Sequence, residues 1–472
     1  MSKIETDLLV IGAGSGGLSV AAGAVQMGAK VVLLEDHKMG GDCLNYGCVP
    51  SKALIAAGKQ AHALRNGAKF GVADVTPKVD YAAAKDHVHK VIETIAPVDS
   101  VERFEGLGVH VIQERGRFVG ANTVRAGDHE ITARRVVIAT GSAPFVPPIP
   151  GLDKVPYLTN ESLWDLRDLP KHLLIVGGGP IGIEMAQAHL RLGSKVTVIE
   201  GMKAMGKDDP ELAKIVLDRM REEGMVIEED AMAEEITGKA GAITVKAKDG
   251  RVFKGTHLLM AVGRAANTGD LGLEEADIAF DRKGIKVDAS MRTSNKRVYA
   301  IGDVAGQLQF THVAGYHAGV VIRSILFGLP SKAKQGHIPW ATYTDPELAQ
   351  VGLTEAQARE KHGDGMEVAR FEFHENDRAI AEGKTTGLIK VMVVKGRPVG
   401  ASIVGASAGD LIGVWALAIA NNLKMSQVAG MVAPYPTLGE VNKRAAGAYF
   451  SPRLFESAMV KRVVGLVQRF LP

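Results

Sequence analysis

The chain has 472 residues, and at roughly 150 residues per domain this length predicts about three domains. Its 46% hydrophobic and 23% charged content is ordinary for a globular protein and excludes a disordered, collagen-like or coiled-coil chain. The formal net charge of +3 is too balanced for a protein that binds nucleic acid through a basic surface, so we expect no nucleic-acid partner.

The first predicted element is a repeat unit that runs from Asp7 to Glu35. Its sequence predicts an apolar strand, a glycine turn, a helix and a second apolar strand that ends in a carboxylate. In such a unit the first glycine permits a tight turn, the second lets backbone approach a pyrophosphate, and the third packs helix against strand. Gly12, Gly14 and Gly17 occupy these positions. Glu35 is then placed to accept hydrogen bonds from a ribose diol.

The two cysteines of the chain lie close together in the next segment, GGDCLNYGCVPSKALI. Pro50 favours the first turn of a helix, which places Cys48 at the helix N-terminus with Lys52 one turn along. Both features stabilise a thiolate, so Cys43 and Cys48 are predicted to form a redox-active pair. The alternative is a buried, inert pair. A metal site is not predicted, because two further ligands at zinc spacing are missing.

A second repeat unit, from His172 to Glu200, can be laid over the first without a gap. Gly177, Gly179 and Gly182 match the three glycines of the first unit, and Glu200 matches its closing acid. Two copies predict two dinucleotides per chain. Glu200 would repel a 2′-phosphate and no arginine follows it directly, so the second site favours NAD(H), and NADP(H) is the less favoured alternative.

Proline and glycine mark the predicted crossings between domains. The segment from Ala143 to Gly151 carries four prolines, which continue neither a helix nor a central strand. A second crossing follows the strand that ends at Met260, and the segment from Lys334 to Trp340 opens the C-terminal third. No signal peptide is recognised at the N-terminus, and two cysteines do not make a disulfide-stapled secreted scaffold, so we expect a cytoplasmic protein.

Taken jointly, these motifs resemble the class I FAD-dependent pyridine nucleotide–disulfide oxidoreductases, the family of dihydrolipoamide dehydrogenase, glutathione reductase and mercuric reductase. The resemblance covers essentially the whole chain. Beyond the glycine turns and the cysteine block, which looks closest to dihydrolipoamide dehydrogenase, it rests on four further motifs: ATG at 139–141, VGRAANT at 262–268, YAIGDV at 299–304 and YTDPELAQVGLTE at 343–355.

The resemblance implies an α/β fold with two Rossmann-type, three-layer nucleotide-binding domains and a C-terminal α+β dimerisation domain. We expect the first part of an FAD-binding domain at 1–147, an NAD-binding domain at 148–265, the second part of the FAD-binding domain at 266–336, and the interface domain of a homodimer at 337–472.

The cofactors implied by the resemblance are FAD and NAD(H). Glu35 is expected on the adenosine ribose of FAD and Asp303 on its ribityl region. Further cofactor-binding positions are implied at Gly41, Lys52, Gly116, Thr140, Gly141, Ser142 and Gly263. The second repeat, with Glu200, would hold the nicotinamide nucleotide.

The catalytic roles are also implied by the resemblance. Cys48 would be the thiolate that faces the flavin, and Cys43 the thiol that attacks the substrate. Lys52 would lie near the reactive nitrogen of the flavin, paired with Glu184. Hydride from NADH would reach the flavin, and the reduced cysteine pair would then reduce a small disulfide; the reverse reaction would oxidise a dithiol.

The chain departs from the family pattern near its C-terminal end. Where the family usually carries a histidine before proline and threonine, donated across the dimer, this chain has Tyr435. A tyrosine has a pKa near ~10 against ~6.5 for histidine, so using it as a base near neutrality costs roughly 5 kcal/mol more. We therefore expect Tyr435 to donate a hydrogen bond, and Glu440, which would orient the histidine, to bond Tyr435 instead.

Two alternatives remain open. A mercuric reductase-like enzyme would bind a thiol-bound metal ion as substrate and needs no histidine base, although the C-terminal cysteine pair usual in such enzymes is missing. A membrane-surface electron-transfer protein is suggested by the segment Met459 to Leu471, which carries Lys461, Arg462 and Arg469. An apolar stripe at helical spacing, such as this segment carries, more often packs against protein than against a membrane. A helix at the dimer interface is therefore the favoured interpretation. The apolar residues of that stripe are Met459, Val460, Val463, Val464, Val467 and Phe470.

Overall fold

The computed structural model describes residues 1–470. Leu471, at the end of the predicted amphipathic segment, and the C-terminal proline lie outside the described residues. The contacts divide the chain into two compact units. The N-terminal unit comprises residues 1–201 and 230–334, and the C-terminal unit comprises residues 202–229 and the chain from residue 335 onward.

The α-helices of the described residues have the following bounds: α1 Ser15–Gln26, α2 Gly41–Asn45, α3 Cys48–Leu64, α4 Tyr81–Ile95, α5 Val101–Gly106, α6 Pro180–Leu192, α7 Pro210–Glu222, α8 Thr311–Phe327, α9 Glu355–His362, α10 Asp377–Ala381, α11 Ala408–Leu411, α12 Gly413–Ala420, α13 Met425–Ala429, α14 Glu440–Ala448 and α15 Ala458–Phe470.

The strands of the same residues have the following bounds: β1 Ser2–Ile11, β2 Val31–Leu34, β3 His110–Ile112, β4 Gly116–Phe118, β5 Thr123–Ala126, β6 His129–Ile138, β7 Ser142–Pro144, β8 His172–Val176, β9 Lys195–Ile199, β10 Val226–Glu228, β11 Ala233–Lys239, β12 Ala242–Ala247, β13 Val252–Gly255, β14 His257–Met260, β15 Arg264–Ala266, β16 Phe280–Asp281, β17 Gly284–Ile285, β18 Val298–Ala300, β19 Pro339–Thr342, β20 Glu347–Gly352, β21 Met366–Glu372, β22 Leu388–Val394 and β23 Arg397–Gly405.

The first repeat forms one half of a mostly parallel sheet in the N-terminal unit. The described strands run in the order β3-β2-β1-β6-β5-β4, with β18 also paired to β6. β1 lies parallel to β2, with Leu8 opposite Val31 and Val10 opposite Leu33. All four residues of β2 are buried, as expected for a strand covered on both faces. Parallel strands end at a common edge, and the glycine turn after β1 lies there.

The second repeat builds a smaller parallel sheet by the same rules. β8 pairs with β9 on one side and with β14 on the other, and all three strands are parallel. α6 connects β8 to β9, as α1 connects β1 to β2. A three-stranded antiparallel sheet, β11-β12-β13, adds to this part of the unit. The predicted α/β class with two nucleotide-binding folds is confirmed.

The C-terminal unit contains a five-stranded antiparallel sheet in the order β19-β20-β23-β22-β21. Its apolar core includes Trp415 of α12, which is fully buried and donates through Nε1 to Oδ1 of Asn442 at 2.7 Å. The predicted C-terminal α+β domain is therefore present.

Buried charge holds α7 within the C-terminal unit. The Lys390 side chain, on β22, is only 3% exposed, and its Nζ lies 2.8 Å from Asp209 and 3.0 Å from Glu211 at the start of α7. A third carboxylate, Glu355, lies 2.6 Å away. A buried ammonium needs such partners, because an unpaired charge in the interior is costly. This cluster accounts for the grouping of residues 202–229 with the C-terminal sheet.

None of the helices within residues 1–470 combines the length and the apolar content needed to cross a bilayer. The last helix, α15, leaves its large apolar side chains exposed in the described chain, apart from Val460, which is half-buried.

Candidate active site

The first glycine of each turn has a similar positive φ. Gly12 has φ +102° and Gly177 has φ +113°, in the region that favours glycine. A Cβ on Gly12 would lie 2.5 Å from the backbone oxygen of Ala139, and one on Gly177 would lie 2.3 Å from that of Ala261. Neither position accepts another residue without backbone movement.

The middle and last glycines of each turn differ in what surrounds them. A Cβ on Gly179 would meet nothing within 4 Å, and one on Gly14 would meet only the Cα of Gly41, at 3.9 Å. By contrast, a Cβ on Gly17 or Gly182 would collide with the turn's own backbone oxygen, at 1.8 and 2.0 Å. The middle glycines therefore face open space at a helix N-terminus, as a pyrophosphate requires, while the last glycines are packed.

The acid that closes each repeat is bonded to its own turn. Glu35 accepts from the backbone N–H of Ala13 at 2.7 Å and from that of His37 at 2.9 Å. Glu200 accepts from the N–H of Gly178, the matching turn position, at 2.6 Å. Burial raises the pKa of Glu35, and the two backbone donors oppose that shift. Each carboxylate is held at the strand edge where the ribose of a dinucleotide would lie.

Polar contacts through Ser142 and Arg264 connect Asp303 with the cysteine block. Ser142 donates to Asp303 at 2.5 Å and accepts from Nε of Arg264 at 2.7 Å. Arg264 also forms an ion pair with Asp42, next to Cys43, at 3.1 Å. Burial raises the pKa of Asp303, while Ser142 and Arg264 oppose the shift. Arg264 therefore lies between two carboxylates.

The remaining predicted cofactor positions lie at three places. Thr140 and Gly141 follow β6, where the Thr140 hydroxyl donates to the carbonyl of Asn267 at 2.8 Å. Gly263 precedes β15, has φ +137° and would leave a Cβ in open space. Gly116 begins β4, where a Cβ would lie 2.6 Å from a methyl group of Leu34, so protein side chains already fill that side of the residue.

The cysteines occupy the start of adjacent helices as free thiols. Cys43 lies in α2 and Cys48 is the first residue of α3. The hydrogen bond from Cys43 lowers the pKa of Cys48 to about 6, despite the opposing effect of burial. The hydroxyl of Thr311, 3.4 Å from the Cys48 sulfur, and the charge of Lys52 act in the same direction. The shared hydrogen bond and burial raise the pKa of Cys43. The pair is therefore asymmetric, with the thiolate on Cys48.

Lys52 is fixed by the second repeat. Its Nζ lies 2.9 Å from Oε2 of Glu184 on α6, whose side chain is only 5% exposed. α3 and α6 pack against each other, so the ion pair joins the cysteine helix to the nucleotide fold of the second repeat. The positive charge stays one turn from Cys48.

Several groups that position the cysteine block were not predicted. Asn160 donates to Asp42 at 3.1 Å, and Nε1 of Trp164 donates to the carbonyl of Tyr46, between the cysteines, at 2.9 Å. Thr311 approaches Cys48 from α8, which is remote along the chain. No spacing rule connects such distant segments; for Thr311, the only sequence signal is that it closely follows the YAIGDV motif.

A cavity of about 420 Å³ opens beside Cys43. Cys48 does not line it, but Thr311 does. The cavity has apolar walls, such as Phe104, and Asp99 and Arg103 are its charged groups. A small molecule in this space would meet the Cys43 sulfur first.

His317 on α8 does not replace the histidine base that is missing where the chain has Tyr435. It is buried and accepts through Nδ1 from the backbone N–H of Gly302 at 3.3 Å, while its Nε2 has no hydrogen-bond partner within residues 1–470. Burial lowers the pKa of His317 to about 4. It is therefore neutral near pH 7 and already used as an acceptor.

Tyr435, in the C-terminal unit, is exposed and donates to Oδ2 of Asp377 at 2.9 Å. This bond raises the pKa of Tyr435, because the carboxylate favours the protonated phenol. The expected hydrogen bond from Tyr435 to Glu440 is wrong. Glu440 begins α14, and Asp377 of α10 accepts the hydrogen bond from the phenol instead. Tyr435 is a hydrogen-bond donor here and a poor base.

Comparison with known proteins assigns the chain to a family. Residues 6–318 match the model described as pyridine nucleotide-disulphide oxidoreductase, and residues 338–446 match its dimerisation domain. A mercuric reductase from Bacillus cereus is 34% identical over 449 residues, which are 93% of this chain and 71% of the relative. A dihydrolipoyl dehydrogenase from Geobacillus stearothermophilus is 34% identical over 456 residues, 94% of this chain and 96% of the relative.

Solved structures agree with this assignment. LpdA from Mycobacterium tuberculosis is 27% identical with a TM-score of 0.87, covering 94% of this chain and 99% of that chain. The HOCl-induced flavoprotein disulfide reductase RclA from Escherichia coli, solved as a Cu(II) complex, is 28% identical with a TM-score of 0.83, covering 92% and 98%. The chain therefore belongs to the pyridine nucleotide-disulphide oxidoreductase family, whose members are flavin-dependent oxidoreductases that use NAD(P)H.

Proposed function

We propose that the protein is an FAD-dependent, homodimeric NADH:disulfide oxidoreductase whose Cys43 attacks a small disulfide or dithiol-derived substrate. The asymmetric thiol pair carries this proposal, because it combines a thiolate at Cys48 with a second thiol that opens into a cavity. A structural or metal-storing cysteine pair needs neither feature.

The residues around the first glycine turn fit FAD. The open space at Gly14 suits a pyrophosphate, Glu35 lies at the edge where the ribose of an adenosine would be, and Asp303 is a half-buried acceptor for a polyol. When bound, FAD accepts hydride from a nicotinamide and delivers an electron pair to a disulfide. Lys52, fixed by Glu184, supplies positive charge near that exchange.

The cysteine pair performs the sulfur chemistry in two displacements. Cys43 transfers its proton along the existing hydrogen bond to Cys48 and attacks one sulfur of the substrate, which forms a mixed disulfide and releases the first thiolate. The proton then passes from Cys48 to the departing thiolate. Cys48 next attacks the Cys43 sulfur, which forms the Cys43–Cys48 bond and releases the second thiolate, which takes a proton from solvent; the hydride of NADH, two electrons and one proton, restores the Cys43 thiol and the Cys48 thiolate.

Tyr435 limits which acceptors the enzyme reduces quickly. In this proposal it lies near the substrate as a hydrogen-bond donor contributed across the dimer, and its bond to Asp377 keeps it protonated. It stabilises a departing thiolate but stores no proton near neutrality.

A second candidate acceptor is a thiol-bound soft metal ion such as Hg(II). Two observations favour it: Tyr435 replaces a base that metal reduction does not need, and relatives at 34% identity are named mercuric reductases. Soft thiolates are the preferred ligands of such ions.

NADH is proposed as the nucleotide of the second repeat. Glu200 is fixed by the Gly178 N–H at the end of β9, where its charge opposes a 2′-phosphate and accepts from a ribose hydroxyl.

The main test replaces Cys43 by serine in the FAD-loaded enzyme. With NADH, we expect reduction of lipoamide to fall by about 1,000-fold or more, since the nucleophile is lost. Flavin content and melting temperature should match the unaltered enzyme. Reduction of lipoamide at the original rate would contradict the proposal. A parallel assay with a thiol complex of Hg(II) identifies which acceptor is faster.

The second prediction concerns pH. The Cys48 thiolate should be present above pH about 6 and lost below it, because its pKa is lowered. Thr311→Val should raise this midpoint by roughly one unit, and Thr311→Ser should leave it unchanged. The measurement is the rate of Cys48 alkylation against pH, read by peptide mass spectrometry of the reduced enzyme. An equal midpoint in the valine and serine variants would exclude the hydroxyl as a determinant.

The third prediction restores the missing base. Tyr435→His should raise lipoamide turnover by about tenfold or more and introduce a pH dependence near pKa ~6.5. Asp377→Asn is the matched control: it frees the phenol without creating a base, so turnover should not rise. If the histidine variant gains nothing, proton storage is not limiting.

The fourth prediction tests nucleotide choice. The unaltered enzyme should use NADH with a kcat/KM about tenfold or more above that for NADPH, and Glu200→Gln should narrow this ratio by weakening the repulsion of the 2′-phosphate. Steady-state rates with NADH and with NADPH measure this ratio in both enzymes. A preference for NADPH in the unaltered enzyme would refute the assignment.

A further inference from the structure

The last helix, α15, separates apolar from basic residues almost completely. At 100° per residue, its apolar side chains fall within an arc of about 160°, and the opposite arc holds the polar positions. The apolar face is Met459, Val460, Val463, Val464, Leu466, Val467 and Phe470. A coiled-coil seam is narrower than this face, whereas a helix lying in a bilayer interface needs a broad one.

The apolar face is largely uncovered in the described chain, and of its residues only Val460 is half-buried. Met459 is 73% exposed, Phe470 is 72% exposed, and Leu466 is 56% exposed. The helix also lies beyond residues 338–446, which match the dimerisation domain of the family. It is therefore not part of the segment that matches the dimerisation domain.

The charge of α15 has a single sign. Lys461, Arg462 and Arg469 are basic, and no acidic residue occurs from Ala458 to Phe470. The polar arc carries these cations close to the borders of the apolar face, where they would meet anionic headgroups while the face enters the acyl region. Pairing with the same helix of a second copy would bring cations against cations with no acid to offset them.

The root of the helix is anchored to the C-terminal unit. Arg453 forms an ion pair with Glu367 on β21, and its guanidinium lies 3.9 Å from the ring centre of Tyr449. Ser457 then caps α15 by accepting from the N–H of Val460 at 3.3 Å. Phe455, between the anchor and the cap, is 71% exposed and adds an aromatic ring beside the helix.

We infer that α15 docks the enzyme on an anionic phospholipid surface, with its apolar face in the interface and its three cations at the headgroups. The occupant is a membrane surface, and the helix lies on it without crossing it. This places the electron-transfer chemistry of the N-terminal unit on a protein bound peripherally to a bilayer.

The test uses the full-length, FAD-loaded protein and vesicles of phosphatidylglycerol and phosphatidylcholine in equal parts, with pure phosphatidylcholine vesicles for comparison. We expect co-sedimentation with the anionic vesicles at least about tenfold stronger than with the neutral ones, and a loss of binding at high salt. Equal binding to both vesicles, or no binding to either, would overturn the inference.

Variants locate the binding surface. Val463→Gln combined with Val467→Gln should weaken vesicle binding by about tenfold or more, and Lys461→Gln by about fivefold, whereas Gln468→Asn, on the polar arc, should change nothing. NADH oxidation and flavin content should stay at the original level in all of them, which separates this result from the redox proposal. Undiminished vesicle binding by the valine double variant, or a change in its oligomeric mass by light scattering, would assign the face to protein contacts instead.

Discussion

The hydrogen bond between the two thiols is the interaction on which the rest of the site depends. It joins one proton to two sulfurs, lowers the pKa of Cys48 and raises that of Cys43. The Cys48 sulfur is thereby a thiolate near neutral pH. The Cys43 sulfur is a neutral thiol, which becomes nucleophilic only when it gives its proton to Cys48. In the proposed reaction, Cys48 therefore serves as the base for the first displacement by Cys43.

The surrounding groups act on this asymmetry unequally. The charge of Lys52 lowers the pKa of Cys48, whereas Thr311 lowers and Asp42 raises the pKa of both cysteines, so the asymmetry comes mainly from the shared hydrogen bond. Arg264 offsets part of that carboxylate and also approaches Asp303. One guanidinium therefore links the electrostatics of the thiol pair with the residues expected at the cofactor. A change in either carboxylate is felt at the other through Arg264.

The sequence predicted those parts of the site that local chemistry specifies. The repeat of strand, glycine turn and helix follows from backbone geometry, since Gly12 and Gly177 leave no room for a side chain. The helix at Cys48 follows from proline placement. Thr311 was missed because its contact with Cys48 depends on how α8 packs, and Tyr435 was given the wrong partner because Asp377 is close only in three dimensions. Tertiary neighbours of this kind have no signature in residue spacing.

In the proposed reaction, the tyrosine in place of histidine narrows the chemistry of the acceptor. A disulfide whose leaving thiol has a high pKa needs a proton delivered as the bond breaks, and Tyr435, kept protonated by Asp377, returns such a proton poorly once spent. An acceptor whose leaving thiol has a low pKa departs as a stable anion, and a metal ion held by thiolates has no leaving thiol to protonate in the reduction itself. The soft metal ion meets this condition as it is, whereas a disulfide with a weakly acidic leaving thiol reacts only when the Cys43–Cys48 pair supplies the proton. In the proposed reaction, the acidity of the released group therefore selects the acceptor more than the shape of the cavity beside Cys43 does.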